Sequence, residues 1–299
     1  MKVLITGGGG FLGAWLIKRL IAQGIEARVF DRKEDRSILR EIIGDAADSI
    51  DWMTGDIADT DRVRDAARGC DFAVHLAALL TPDCAANPVL GATVNLIGTL
   101  NVFEAAKAEG MRGIAYASSA SALAPDDCTD LSPVTHYGAY KLACEGCARA
   151  YWIESGISSI GFRPAIVYGP ARETGISAGP SVACREAVAG RPYTIGYSGE
   201  ADLIFVDDVA ALCEAAALKP FEGAHVITLS GEMVDVSAIA EAIRDQVPGA
   251  QINWDGPLLP IPPHMEPTPT GGLLGPLPRT SLKDGIAQTI AHYRPGRNA

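Results

Sequence analysis

The chain has 299 residues, 48% apolar and 20% charged, enough to bury a sizeable core in one large α/β domain with a smaller appended region. Its 36 acidic and 25 basic side chains leave a net charge of −11, which repels a phosphate backbone and argues against nucleic acid as a partner. No run of about 18 uninterrupted apolar residues occurs, so no membrane span is expected; the odd count of seven cysteines suits free thiols in a reducing cytoplasm.

The opening Met-Lys-Val-Leu-Ile-Thr reads as a strand rather than a leader peptide. The first half then alternates short apolar runs with helical patterns, the signature of βαβ units around a parallel sheet. After the strand Lys2–Thr6, residues 11–22 read as a helix ended by Gly24, with Phe11, Leu12, Trp15, Leu16 and Leu20 at helical spacing. Strands are expected at 26–30, 51–54, 71–76, 113–118 and 157–163, and helices at 60–68, 87–109 and 136–155. Beyond that point prolines and glycines become frequent. Helices are expected there at 179–189, 208–218, 236–246 and 282–293, and strands at 203–206 and 224–229. Eight prolines between Pro257 and Pro278 exclude regular helix or sheet, so this stretch is expected as a surface loop draped near a cleft. The expected organisation is a Rossmann-type doubly wound parallel sheet over residues 1–165, with 203–230 returning to it. A smaller α+β substrate-binding region covers most of 166–299.

Gly7, Gly10 and Gly13 lie directly after the first strand and open the first helix. A tight strand-to-helix turn needs positive φ, a pyrophosphate needs close backbone approach, and the helix must pack tightly on the strand. The helix start then offers unpaired N–H groups and its positive dipole to phosphates. Asp31 closes the second strand, 18 residues after Gly13. A carboxylate there accepts from both ribose hydroxyls of the adenosine and repels a 2′-phosphate, which favours NAD over NADP; Arg32 and Lys33, which follow, pull the other way. Asp56, with Ile57 after it, has two readings: an acceptor for the adenine amino group, or a plain helix N-cap.

Tyr137 and Lys141 are four apart on one helix face, and Ser118 and Ser119 end the preceding strand. The carboxyl ends of strands in a doubly wound sheet form the ligand crevice, so these groups converge where a nicotinamide would lie. A phenol titrates near pH 10 and is a poor base at neutrality; a nearby ammonium and a cationic nicotinamide both favour the phenolate. Tyr137 then takes the proton of a substrate hydroxyl while the carbon gives up hydride, Lys141 also bonds the nicotinamide ribose, and Ser119 holds the substrate oxygen. Cys144 and Cys147 form a C-x-x-C with no second pair or histidine at zinc spacing, so they read as two small residues on a helix, and no metal is expected.

Further segments join these: Val74-His75-Leu76-Ala77-Ala78, Asn95-Leu96-Ile97-Gly98-Thr99-Leu100-Asn101, Ala117-Ser118-Ser119-Ala120-Ser121, Arg163-Pro164-Ala165-Ile166-Val167-Tyr168-Gly169-Pro170 and Phe205-Val206-Asp207-Asp208-Val209-Ala210. With the glycine turn and the Tyr-x-x-x-Lys pair, they make the chain resemble the extended short-chain dehydrogenase/reductases, the NAD-dependent epimerases and dehydratases, over nearly its whole length. The resemblance implies Ser119, Tyr137 and Lys141 as catalytic residues. It implies a cofactor held by Gly7, Gly10, Phe11, Leu12, Gly13, Asp31, Arg32, Asp56 and Ile57. Further along the chain Leu76, Ala77, Ala78, Asn95, Ser118, Tyr137, Lys141, Pro164 and Val167 would also hold it. Leu79, Ser119, Ser121, Tyr137 and Arg172 would meet the substrate. His75 and Asn95 also read as a strand-end histidine and a buried amide holding backbone. The resemblance also implies a homodimer through the helices at 87–109 and 136–155.

Departures from the family pattern bear on the substrate. Sugar-nucleotide members carry Asn where Ile166 stands and an Arg where Glu200-Ala201-Asp202 stands, both for a diphosphate. Their loss removes a donor and a charge, and Glu200 and Asp202 are expected to add repulsion. Leu123 and Ala124 replace the usual Tyr-Gly. Arg172, Arg185 and Arg191 serve either an anion or a solvated surface. The expectation is hydride transfer between NAD and a secondary alcohol or carbonyl of a small carbohydrate-like substrate (a polyol, sugar or sugar acid). The alternatives are a nucleotide-sugar 4-epimerase with tightly held NAD, and a non-enzymatic NAD-sensing or scaffold protein, which typically loses the Tyr or Lys kept here.

Overall fold

The computed structural model of the protein describes residues 1–276 and 278–294. In chain order the first half runs β1 (Lys2–Thr6), α1 (Phe11–Ala22), β2 (Glu26–Asp31), α2 (Ser37–Ile43), β3 (Asp51–Thr54), α3 (Thr60–Ala67) and β4 (Phe72–His75). It continues with α4 (Thr81–Ala86), α5 (Pro88–Ala92), α6 (Gly98–Glu109), β5 (Ile114–Ala117), α7 (His136–Ser155) and β6 (Ser159–Pro164). The second half holds β7 (Ile166–Tyr168), α8 (Gly179–Val188), β8 (Tyr193–Ile195), β9 (Glu200–Phe205), α9 (Val206–Leu218), β10 (Ala224–Leu229), β11 (Glu232–Asp235), α10 (Val236–Gln246), β12 (Ile252–Trp254) and α11 (Leu282–Tyr293).

The near-continuous apolar strands β1, β4 and β5 are buried on both faces, as strands covered by helices on each side must be. They sit inside a seven-stranded sheet of order β10-β6-β5-β4-β1-β2-β3, parallel at every pairing. The order reverses between β1 and β4, and this switch point opens a crevice at the strands' carboxyl ends. One core lies under α1 and α9, with Trp15, Leu16, Leu20, Val209 and Leu212 buried. The other lies under α3, α6 and α7, with Val63, Val102, Phe103 and Ala148 buried.

Residues 203–230 divide between the large sheet and a smaller one. Helix α9 packs on α1, and Arg19 of α1 reaches Asp207 and Glu214 of α9. Strand β10 becomes the sheet edge beside β6. Strand β9 does not return: it runs parallel to β7 and antiparallel to β11 in a separate three-stranded sheet. A two-stranded parallel pair, β8 and β12, completes the smaller region.

The long helix expected over 87–109 is capped by Asn87, whose side chain accepts from Leu90 N, and stops at left-handed Gly110. It is interrupted by a wide π-helical turn at Thr93–Ile97. By length and composition Pro88–Glu109 is apolar enough to cross a membrane (mean hydropathy 1.3), and half of the window is buried within the protein. Its polar members Asn95, Thr99 and Asn101 are buried and hydrogen-bonded there.

Among its described residues the proline-rich stretch carries no helix or strand between β12 and α11; Leu277 lies outside them. It is held down rather than loose. Thr268 and Thr228 exchange two hydrogen bonds, the Asp208 carboxylate accepts from Thr280 N and Oγ1, and Met265 and Leu274 are buried.

Candidate active site

The glycine turn has the expected local shape. Gly7 takes φ +70°, and a Cβ there would meet Ala77 N at 2.7 Å; a Cβ on Gly13 would meet Gly8 Cα at 2.6 Å. Helix α1 therefore presses on the turn, as a side chain on either residue would forbid. Gly10, its N-cap, supplies no side chain, and no acid lies in the first turn. The opening N–H groups are thus free for an anion, and a dinucleotide's pyrophosphate fits them.

Asp31 sits beside this turn, where one carboxylate oxygen accepts from Gly9 N (3.1 Å) and the other from Arg32 N (2.7 Å). Burial raises its pKa from the usual value, against those two N–H groups, which lower it. The Arg32 side chain is exposed. Asp56 is exposed too and accepts from Ala58 N at 2.9 Å. The N-cap of α3 is Asp59 instead, which corrects the capping reading of Asp56. Ile57 packs against Gly98, and its carbonyl accepts from Asn101 Nδ2 at 2.9 Å.

Behind β1 and β4 runs a buried polar chain. Thr99 donates its hydroxyl to the Asn95 carbonyl (2.6 Å), so it accepts from His75 Nε2–H (2.9 Å). That leaves His75 Nδ1 to accept from the Thr6 hydroxyl (2.6 Å), and Thr6 in turn accepts from Ala77 N (3.3 Å). Burial, aided by the Lys141 charge, pushes His75 down to about 3, so the ring is neutral. Asn95 accepts from Leu79 N (2.7 Å) and donates to Leu79 O (2.9 Å). It positions backbone and does not line the cleft, as the second reading of that residue had it.

The catalytic candidates meet at the carboxyl end of β5. Lys141 is 3% exposed, its Nζ donates to the Ala117 carbonyl at 2.5 Å, and the same Nζ lies 5.5 Å from the centre of the Tyr137 ring. Ser119 begins a 3-10 turn and its Oγ accepts from Ser121 N at 3.1 Å. Ser118 points the other way: its hydroxyl donates to buried Glu145 at 2.5 Å, which is ion-paired with Arg163. A Cβ on Gly138 would meet Ser121 O at 1.9 Å, so the start of α7 docks directly on the serine turn.

These groups open into a cleft of about 430 Å³. It is lined by Gly7, Gly10, Phe11, Leu12, Gly13, Leu76, Ala78, Ser118, Ser119, Ser121, Tyr137, Lys141, Pro164, Val167 and Arg172 among the expected residues. Asp31, Arg32, Asp56, Ile57, Ala77, Leu79 and Asn95 lie outside that lining. Sequence reasoning missed Ile38, Leu80 to Pro82, Glu173 to Ser177 and the lip Leu259, Pro260 and Ile261. Only the last had a signal, the proline-rich stretch expected near the cleft. A further expectation is corrected. Glu200 and Asp202 do not face the cleft: both lie on β9 opposite β11, and Asp202 is 3% exposed with its carboxylate accepting from Gly231 N. They therefore add no repulsion to a bound diphosphate. Arg185 and Arg191 are tied to Glu173 and Glu186 in ion pairs; Arg172 alone of the three arginines lines the cleft.

The model of the NAD dependent epimerase/dehydratase family matches residues 3–230. UDP-glucose 4-epimerase of Mycolicibacterium smegmatis is 28% identical, over 98% of this chain and 99% of its own. The 2-alkyl-3-oxoalkanoate reductase of Stenotrophomonas maltophilia is 28% identical over 70% of this chain and 63% of its own. The crystal structure of Thermus thermophilus UDP-glucose 4-epimerase in complex with NAD is 25% identical, covers 99% of each chain and superposes with a TM-score of 0.78.

Proposed function

The chain belongs to the NAD-dependent epimerase/dehydratase family of extended short-chain dehydrogenase/reductases, and on that premise we propose that it oxidises or reduces a secondary alcohol or carbonyl of a carbohydrate-like substrate, with NAD as its cofactor. The single observation that carries this reading is the buried Lys141 ammonium under the Tyr137 ring, in a cleft that also holds Ser119 and the glycine turn.

NAD, when bound, accepts or returns a hydride at the substrate carbon. Phe11, Leu12 and Gly13 offer backbone N–H groups to its pyrophosphate, Asp31 takes the adenosine ribose, and Lys141 takes the nicotinamide ribose. Tyr137 moves the proton at the substrate oxygen, with the Lys141 charge favouring its phenolate. Ser119 Oγ holds that oxygen as charge develops. Ala117 O fixes the ammonium from below, so Lys141 arrives oriented. Ile166 and Val167 line the substrate side with apolar surface, where the nucleotide-sugar pattern has an amide.

A second reading, a nucleotide-sugar 4-epimerase, is favoured by the full-length likeness to the Mycolicibacterium enzyme. The two differ in outcome. The first forms NADH stoichiometrically with a panel of sugars, sugar acids and lactones; the second retains NAD, forms no net NADH and inverts a UDP-sugar. For either, Tyr137→Phe should lower kcat by at least roughly 10²-fold with NAD binding nearly intact. Undiminished turnover in that variant overturns the mechanism. The seven free cysteines support a cytoplasmic setting. The exposed apolar residues of the two long helices support a homodimer.

A further inference from the structure

The cleft contains a guanidinium that no carboxylate of the described residues pairs. Arg172 follows the turn through Ala171, which holds φ at +71°, and its side chain is directed inward. One terminal nitrogen donates to the Val167 carbonyl and the other to Ser177 Oγ at 2.9 Å, with the group 5.9 Å over the Phe11 ring. Both acceptors are neutral, and they use two of the five N–H groups an arginine carries. Among the described residues no carboxylate lies within ion-pair distance of Arg172; its neighbour Glu173, which also lines the cleft, is turned to Arg185. Arg19, Arg28, Arg163, Arg185 and Arg191 each have an acidic partner.

The environment registers the deficit. Burial pulls Arg172 down to about 10. Among the described residues the buried Tyr197 hydroxyl has no hydrogen-bond partner. A charge held partly out of water without an opposite charge is costly to keep, and a ligand anion would complete it. The cofactor pyrophosphate has its own donors at the start of α1, so this cation is left over beside the catalytic tyrosine. A diphosphate would bring two charges to a wall that offers one arginine among the described residues.

We propose that Arg172 receives the substrate's carboxylate, and that the substrate is a hydroxy- or oxo-carboxylic acid of about monosaccharide size. The inference rests on the oxidoreductase reading above. In the oxidising direction the carbinol C–H bond breaks and its electron pair leaves as hydride to NAD⁺. The O–H proton passes to Tyr137 and then to solvent, and the hydroxy acid becomes the oxo acid with one NADH and one proton formed. The carboxylate is unchanged and serves to orient the carbinol carbon.

The test is calorimetric titration of the Tyr137→Phe protein, loaded with NAD⁺, with matched pairs: D-glucuronate against D-glucose, D-gluconate against D-glucitol, and 3-hydroxybutanoate against 2-butanol. At least one acid should bind roughly 10- to 100-fold tighter than its neutral counterpart, the range expected of charge-assisted hydrogen bonds. Adding Arg172→Met should bring that ratio to about one with NAD⁺ affinity within roughly threefold, and Arg172→Lys should keep part of the preference. Equal binding of acid and neutral partner in every pair overturns the proposal without need of a foldable Arg172 variant. So does an Arg172→Met protein that keeps the ratio but loses NAD⁺ affinity, since the guanidinium then serves the cofactor. Failure of the oxidoreductase reading is seen separately, as turnover that survives Tyr137→Phe.

Discussion

A single imidazole ties the cofactor turn to the long helix, and its protonation state follows from its partners. His75 accepts at Nδ1 from Thr6 and donates at Nε2 to Thr99, a pattern open only to the neutral ring. Its pKa in the folded protein is about 3, against 6.5 unperturbed, so the unfolded chain binds a proton across that window and the folded one does not. The stabilisation is complete above pH 6.5 and is lost as pH falls toward 3. His75→Gln should therefore destabilise the protein at pH 7.5, and the gap to wild type should shrink by about 2 kcal/mol by pH 5. Urea denaturation at the two pH values measures this; a gap that widens on acidification would remove the neutral-ring assignment. From sequence, His75 was visible as part of a strand motif, Tyr137 and Lys141 as a spacing, and Ser119 as the end of a strand. Their hydrogen-bond partners were not, because Thr6 and Thr99 reach His75 across 69 and 24 residues of chain.

The element that positions the phenol is α7, and its start is set by two contacts. Thr135 caps it by accepting from Gly138 N at 3.0 Å, and Gly138 lets it close on Ser121 O. A methyl at residue 138 has no room, so Gly138→Ala must displace either the helix start or the serine turn. Either shift moves Tyr137 relative to Ser119. The expected cost is about 1–3 kcal/mol of stability and roughly 10²-fold in kcat, since such rates fall steeply with displacements near 1 Å. NAD⁺ affinity, set largely at the glycine turn, should change little. Thermal melts, fluorescence titration with NAD⁺ and steady-state rates separate these effects, and an unchanged kcat would count against the docking argument. Helix 136–155 was legible from its periodicity, but Gly138's contact was not, because it is tertiary. The helix at 87–109 was equally legible as a helix. Its π turn was not, because it forms where Thr99 and Cys144 side chains take the Asn95 carbonyl.

For the molecule as a whole, the repeated βαβ pattern carried the sheet and its switch point, whereas the smaller region was read poorly. Strands β8 and β12 have three residues each, Tyr193–Ile195 and Ile252–Trp254. That is too short for alternation to show, and they exist because each pairs with the other. The same helices that frame the catalytic end leave apolar surface uncovered: Val89 is 78% and Ile153 69% exposed, with Leu90 and Ile97 about half exposed. Large apolar side chains clustered on two neighbouring helices suit a partner surface, and a symmetric dimer covers the same patch twice. Because α7 carries Tyr137 and Lys141 in its first turns, a partner that covered its far end would also hold the catalytic end in place. Wild-type protein should sediment at about twice the 31.3 kDa of one chain, and Ile97→Glu combined with Ile153→Glu should sediment as a folded single chain, because a charge buried in each half of an apolar interface is not tolerated. Circular dichroism should be unchanged in the variant while its melting temperature and kcat both fall. A wild-type protein that sediments as one chain removes the dimer, and a monomeric variant with full activity removes the link between that surface and the site.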